Sequence, residues 1–147
     1  MKVLIDTNVI LEYFMRREEY EVAERFLLQI HERNLKAYMT VGAFYTMHYI
    51  ILRYLHKDRR LYGEECLRNL RSIMDRMLQL FDIAEHDKNS LLNAISDLHY
   101  KDLEDSCQYQ AAVKVGCNYL VTFNTADYPV VKNAPVQVLT PQQYLDL

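Results

Sequence analysis

The stretch Val3-Leu4-Ile5-Asp6-Thr7-Asn8-Val9-Ile10 decides the fold. Lys2 to Ile5 is a short aliphatic and β-branched run of the kind found in a strand buried on both faces, and it stops at the polar triplet Asp6-Thr7-Asn8. Such a strand delivers a carboxylate at its carboxyl end. Val22, Ala23, Phe26, Leu27 and Ile30 then recur at helical spacing, so Tyr20 to Glu32 reads as an amphipathic helix covering the strand. Together they make one βα unit.

The same alternation continues outward. Ala37 to Met39 predicts a second strand, and Thr40 can cap a long apolar helix from about Val41 to Leu55. Cys66, Leu67, Leu70, Ile73, Met74, Met77 and Leu78 give the next helix an i, i+3, i+4 stripe, and a third strand is expected around Phe81 to Ala84. Asn89 to Leu98 and Leu103 to Val115 read as helices, the second closed by Gly116. Tyr119 to Thr122 is a strand followed by a polar loop, Phe123 to Asp127. Val136 to Leu139 is a last strand, and Thr140-Pro141 opens a short terminal helix. The expectation is an α/β three-layer fold, with a central parallel sheet of four to five short strands flanked by helices and right-handed crossovers. Ligands in such sheets bind at the carboxyl ends of the strands.

Length and composition agree with this. The chain of 147 residues, half of them apolar, has material for one buried core, so a single domain over residues 1–147 is expected. No run approaches the roughly 20 apolar residues of a membrane span, and Asp6 comes too early for a secretory signal, which predicts a cytoplasmic protein. Cys66, Cys107 and Cys117 form no CxxC pair and read as small core residues, while the five histidines show no metal-ligand spacing. Tyr45, Tyr49 and Tyr54 have the spacing of core packing, with base stacking as the alternative.

The net charge of −3 conceals an uneven distribution. From Arg53 to Arg76 seven basic residues face four acidic ones, whereas from Phe81 to Gln110 seven acidic residues face only Lys88 and Lys101. Either both are solvated helix faces, or an acidic pocket stands beside a basic rim suited to a phosphodiester substrate. Asp6, Asp105 and Asp127 come from distant parts of the chain, each at a predicted strand end or helix start on the site face. Carboxylates brought together repel unless a cation lies between them, and hard cations such as Mg²⁺ or Mn²⁺ take oxygen ligands. Asp102 and Asp105 can share one face of a helix start, with Glu104 directed elsewhere.

Three segments, read together, resemble the PIN domain family. Val3 to Ile10 looks like its opening strand and DTN motif, Asp102-Leu103-Glu104-Asp105-Ser106-Cys107-Gln108 through Ala112 resembles a DxEDxxQxxxA helix of one branch, and Leu120 to Tyr128 resembles a TxNxxDF segment. The resemblance implies a metal-dependent ribonuclease similar to small free-standing VapC-like toxins. It implies Asp6, Asp105 and Asp127 as catalytic metal or water ligands, with Asp102 a further carboxylate. Thr7 and Asn8 would then shape the first turn, and Thr122 and Asn124 would orient their neighbours. RNA, an antitoxin protein and a second copy of the chain are the implied partners. The chain departs from the family in having no acid from Tyr38 to Lys57, where many PIN domains carry a helical glutamate. Thr46 near that place can hydrogen-bond a metal-bound water but supplies no charge. The alternative is therefore a catalytically weakened PIN domain that serves as an RNA-binding or protein-interaction module.

Overall fold

The protein is described over residues 1–147 by a computed structural model. Five strands, β1 (Lys2–Ile5), β2 (Lys36–Thr40), β3 (Asp82–Ala84), β4 (Tyr119–Val121) and β5 (Gln137–Leu139), form one sheet in the order β3-β2-β1-β4-β5. Every pairing is parallel, so all five carboxyl ends lie along one edge. Seven helices cover it: α1 (Thr7–Phe14), α2 (Tyr20–Glu32), α3 (Val41–Lys57), α4 (Gly63–Leu80), α5 (Lys88–Ser96), α6 (Leu103–Val115) and α7 (Pro141–Leu145). None is long and apolar enough to cross a membrane.

The period-two alternation of the strands divides the core between two faces. Val3, Ile5 and Val121 join Phe26, Met39, Met47 and Met77 in the larger cluster beneath α1 to α4 and α7. Leu4 and Leu120 point the other way and meet Ala111, Ala112 and Cys117 beneath α6. The small side chains there let α6 lie close to the sheet. Ser106, fully buried in α6, donates to the carbonyl of Ala94 at 2.9 Å and pins α6 to α5. Three free cysteines are present, with Cys66 and Cys117 buried as expected and Cys107 only half-buried on α6, short of the core position expected for it.

The strands and helices expected from sequence all form, with ends shifted by at most a few residues, and α1 is an addition. Val9-Ile10-Leu11 looks like a continued strand because two of its members are β-branched, yet it is helical and buried. α2 packs mainly on α1 and α7. The expectation for the α3 tyrosines holds for Tyr54, half-buried against the larger cluster, and needs correcting for the other two. Ala43, Met47, Ile51 and Leu55 form the buried stripe of α3, which leaves Tyr45 and Tyr49 on the opposite face, 68% and 59% exposed.

Gly116 ends α6 in the left-handed region at φ 69°, and a Cβ added there would touch nothing. The cost of Gly116→Ala is therefore conformational, about 1–2 kcal/mol. Gly42, inside the first turn of α3 with room for a methyl group, is the contrasting case. Gly42→Ala should raise the urea midpoint slightly and Gly116→Ala should lower it, as followed by circular dichroism.

Candidate active site

The site begins where β1 and β4 end. The two strands are parallel neighbours paired through Ile5 and Val121, so the next residues, Asp6 and Thr122, emerge side by side at the carboxyl edge. The backbone amide of Asp6 donates to the Val121 carbonyl at 2.9 Å, which continues the strand pairing and holds the residue in place. Asp6 is the N-cap of α1, yet its side chain caps nothing. Its carboxylate turns into the protein, only 4% exposed. There Oδ2 accepts from Thr122 Oγ1 at 2.7 Å and Asn8 Nδ2 at 3.1 Å, and Oδ1 accepts from Gln108 Nε2 at 2.8 Å.

Asn8 and Thr122 are themselves fixed. Asn8 Nδ2 also donates to Thr122 Oγ1 at 3.0 Å, and its Oδ1 accepts from the amide of Phe123 at 3.1 Å. Thr122 Oγ1 further accepts from the amide of Asn124 at 3.0 Å. Asn124 thus contributes its backbone, and its residue is exposed. Asp127 closes a single 3₁₀ turn after this loop and is exposed at the rim.

α6 brings the remaining acids. Asp102 is its N-cap and accepts from the Glu104 amide at 2.7 Å. Asp105 lies one turn before Gln108 on the same helix face. Burial, then the negative charges of Asp6, Asp102, Asp127 and Glu104, push the Asp105 carboxyl up to about 7. All four expected aspartates therefore share one electrostatic site. Glu104 corrects the sequence expectation: partial burial and the charges of Asp6 and Asp102 raise its pKa, so its carboxylate belongs to the same group. No Lys, Arg or His forms an ion pair with any of these acids.

Gln108 and Tyr128 fall inside the DxEDxxQxxxA and TxNxxDF-like segments, but neither is assigned a role from the sequence. The spacing of three between Asp105 and Gln108 at a helix start was the available signal for the first. Burial and the charges of Asp6 and Asp105 hold the Tyr128 phenol well above its ordinary range, so it is a neutral hydroxyl facing the acids. Thr46, by contrast, sits half-buried on α3 and has no hydrogen bond to any of them.

Five buried side-chain polar atoms in the chain lack a partner, and three belong to this site: Thr7 Oγ1, Gln108 Oε1 and Tyr128 Oη. An orphaned buried oxygen is normally explained by a water or an ion. No three acids stand together as a ready-made chelate. A donor set of carboxylate, amide and hydroxyl oxygens nevertheless suits a hard divalent cation that keeps much of its water.

The motifs now have their geometry, and a PIN domain family model matches residues 2–126. The chain belongs to the PIN domain family. Among relatives, Ribonuclease VapC1 of Aquifex aeolicus (strain VF5) is 26% identical over 152 residues, covering 99% of this chain and 94% of that protein. A chain in the crystal structure of VapBC2 from Rickettsia felis bound to a DNA fragment from their promoter shares the fold. It matches with a TM-score of 0.65 and 13% identity over 95% of this PIN domain and 99% of its own length.

The raised proton affinity of Asp105 has a consequence for stability. Its carboxyl binds a proton more tightly folded than unfolded, so its contribution is fully present below the unfolded value of 3.8 and is lost as pH rises through about 7. In EDTA, the urea midpoint of the wild type should fall between pH 5 and pH 8. Asp105→Asn should flatten this fall and exceed the wild type at pH 8.

Proposed function

We propose that this PIN domain is a divalent-metal-dependent endoribonuclease and the toxin of a toxin-antitoxin pair. The observation that carries the reading is the convergence of five carboxylates at one sheet edge with no basic side chain to neutralise them. Asp6, Asp105 and Asp127 are the residues assigned to hold Mg²⁺ or Mn²⁺, with Asp102 and Glu104 adding negative charge. A bound ion of this kind supplies an activated water and offsets the charge that builds on a scissile phosphate.

The protein's own groups prepare that chemistry. Thr122, Asn8 and Gln108 hold the Asp6 carboxylate in one orientation, since each donates to it. Tyr128 keeps its proton and can donate into the site. Asp127 stands at the exposed rim, where an RNA strand can approach it. Kinship with Ribonuclease VapC1 supports RNA as the substrate, and the fold shared with a VapBC2 chain is consistent with an antitoxin partner. Arg53, Arg68 and Arg71, exposed on α3 and α4, offer positive charge for the phosphate backbone. We also infer a homodimer, because α5 leaves Leu91, Leu92 and Ile95 between 40% and 60% exposed along one helix.

One observation favours a second reading: α3 carries no acid along its whole length. An RNA-binding or protein-interaction module with weakened catalysis would follow from that deficit, although Glu104 restores a fifth carboxylate to the site. Cleavage of structured and unstructured RNAs in Mn²⁺, Mg²⁺ or EDTA separates the two. The expected result is metal-dependent cutting, reduced on the order of 100-fold or more in Asp6→Asn and Asp105→Asn with helicity retained. Salt-sensitive RNA binding with no cutting in any metal would establish the module instead.

Light scattering tests the dimer. The wild type should elute at twice the chain mass, and Ile95→Asp should shift it to the monomer, because an aspartate there would have to be buried unpaired. A wild-type monomer at micromolar concentration would remove the dimer from the reading.

A further inference from the structure

A cavity of about 620 Å³ opens beside the acids on the α6 face of the sheet. Two elements lead into it from the site. On α6, Tyr109 follows Asp105 by one turn and lines the cavity, and beyond β4 the residues on both sides of Asp127, Ala126 and Tyr128, line it as well. Its volume lies within the roughly 300–1,000 Å³ of ligand pockets.

The lining has a particular chemistry. Tyr100 stands between two other rings, 5.8 Å and edge-on to Tyr128 and 6.1 Å and tilted to Tyr109. Asn133 and Gln137 add side-chain amides and Asp97 a carboxylate, and no lysine or arginine lines the cavity. A phosphate would therefore find no counter-charge inside, whereas a neutral planar group would find aromatic surface to stack on and amides to read its edge.

We propose that this cavity receives one unpaired base of the RNA, from a nucleotide flanking the scissile phosphate. The inference rests on the ribonuclease reading and narrows its substrate to strands able to splay a base out of a helix. The phosphate stays at the acids and the base turns into the cavity, so the tyrosines select single-stranded or looped RNA and the amides set a preference among bases. Base pairing would bury the edge that Asn133 and Gln137 address.

The variant Ala134→Trp fills the cavity without altering Asp6, Asp102, Glu104, Asp105 or Asp127, and Tyr109→Leu removes a stacking surface should the tryptophan prevent folding. Two readouts are needed. In the first, RNAs carrying one abasic position at each site near the cut are cleaved by wild type and variants. One abasic position should lower wild-type kcat/KM about 10-fold, and that penalty should vanish in either variant, which cuts all the RNAs at the same reduced kcat/KM. In the second, 2-aminopurine RNA is titrated in EDTA, where the wild type should quench its fluorescence at that position and the variants should not. Cleavage with an unchanged abasic penalty and unchanged quenching in both folded variants overturns the base pocket while leaving the ribonuclease intact, and would fit an apolar side chain of a protein partner. Quenching lost in the variants of a protein that cuts no RNA would retain the pocket and remove the nuclease.

Discussion

Asp6 is a carboxylate taken out of water where β1 ends, and the rest of the site is arranged around the cost of doing so. An ion buried without partners costs several kcal/mol, and three donors from three parts of the chain offset that cost here. Asn8 comes from the first turn of α1, Thr122 from the end of β4 and Gln108 from the second turn of α6. The polar cluster therefore joins the two central strands to one helix on each side of the sheet. A network of this kind defines a single arrangement, because rotating any member leaves a buried charge or dipole unpaired.

The acids around that centre occupy graded environments. Asp6 is buried and bonded, Asp105 is half-buried and driven to hold its proton near neutral pH, and Asp127 is open to solvent. Carboxylates with such different surroundings are not equivalent. The buried member has its orientation set by its three donors, while the outer ones keep the freedom to adjust. This ordering accounts for an acidic site that is assembled without three acids forming a ready-made chelate.

Much of this was legible in the residues. The aliphatic run before Asp6, the alternation of strands and helices, and Gly116 after Val115 each carried a local rule that the fold obeys. The aspartates were readable because each falls at an element end. Other features were hidden for physical reasons. α1 was missed because Val9 and Ile10 favour strands, and its position is set instead by burial against the sheet. Glu104 was assigned to the wrong side because helical spacing at an N-terminus does not fix the reach of a long side chain. Gln108 stands in the DxEDxxQxxxA segment, but its partner is hidden until the sheet brings Asp6 against it. The exposed tyrosines of α3 depended on which stripe of that helix faced the core, and the tetrad Ala43, Met47, Ile51 and Leu55 took precedence over the aromatic one.

The helix α6 and its N-cap carry Asp102, Glu104, Asp105, Gln108 and Tyr109 within eight residues, and the helix is held down by small side chains and the Ser106 hydroxyl rather than by a broad apolar stripe. Acids, the donor to Asp6 and one wall of the neighbouring cavity are thus mounted on one rod. A slide or tilt of that rod moves the acids and the cavity wall together, so neither shifts alone when the contact between α5 and α6 changes. Substitutions at the rod's ends or in the loop after β4 are the changes that act on one of the two without moving the other.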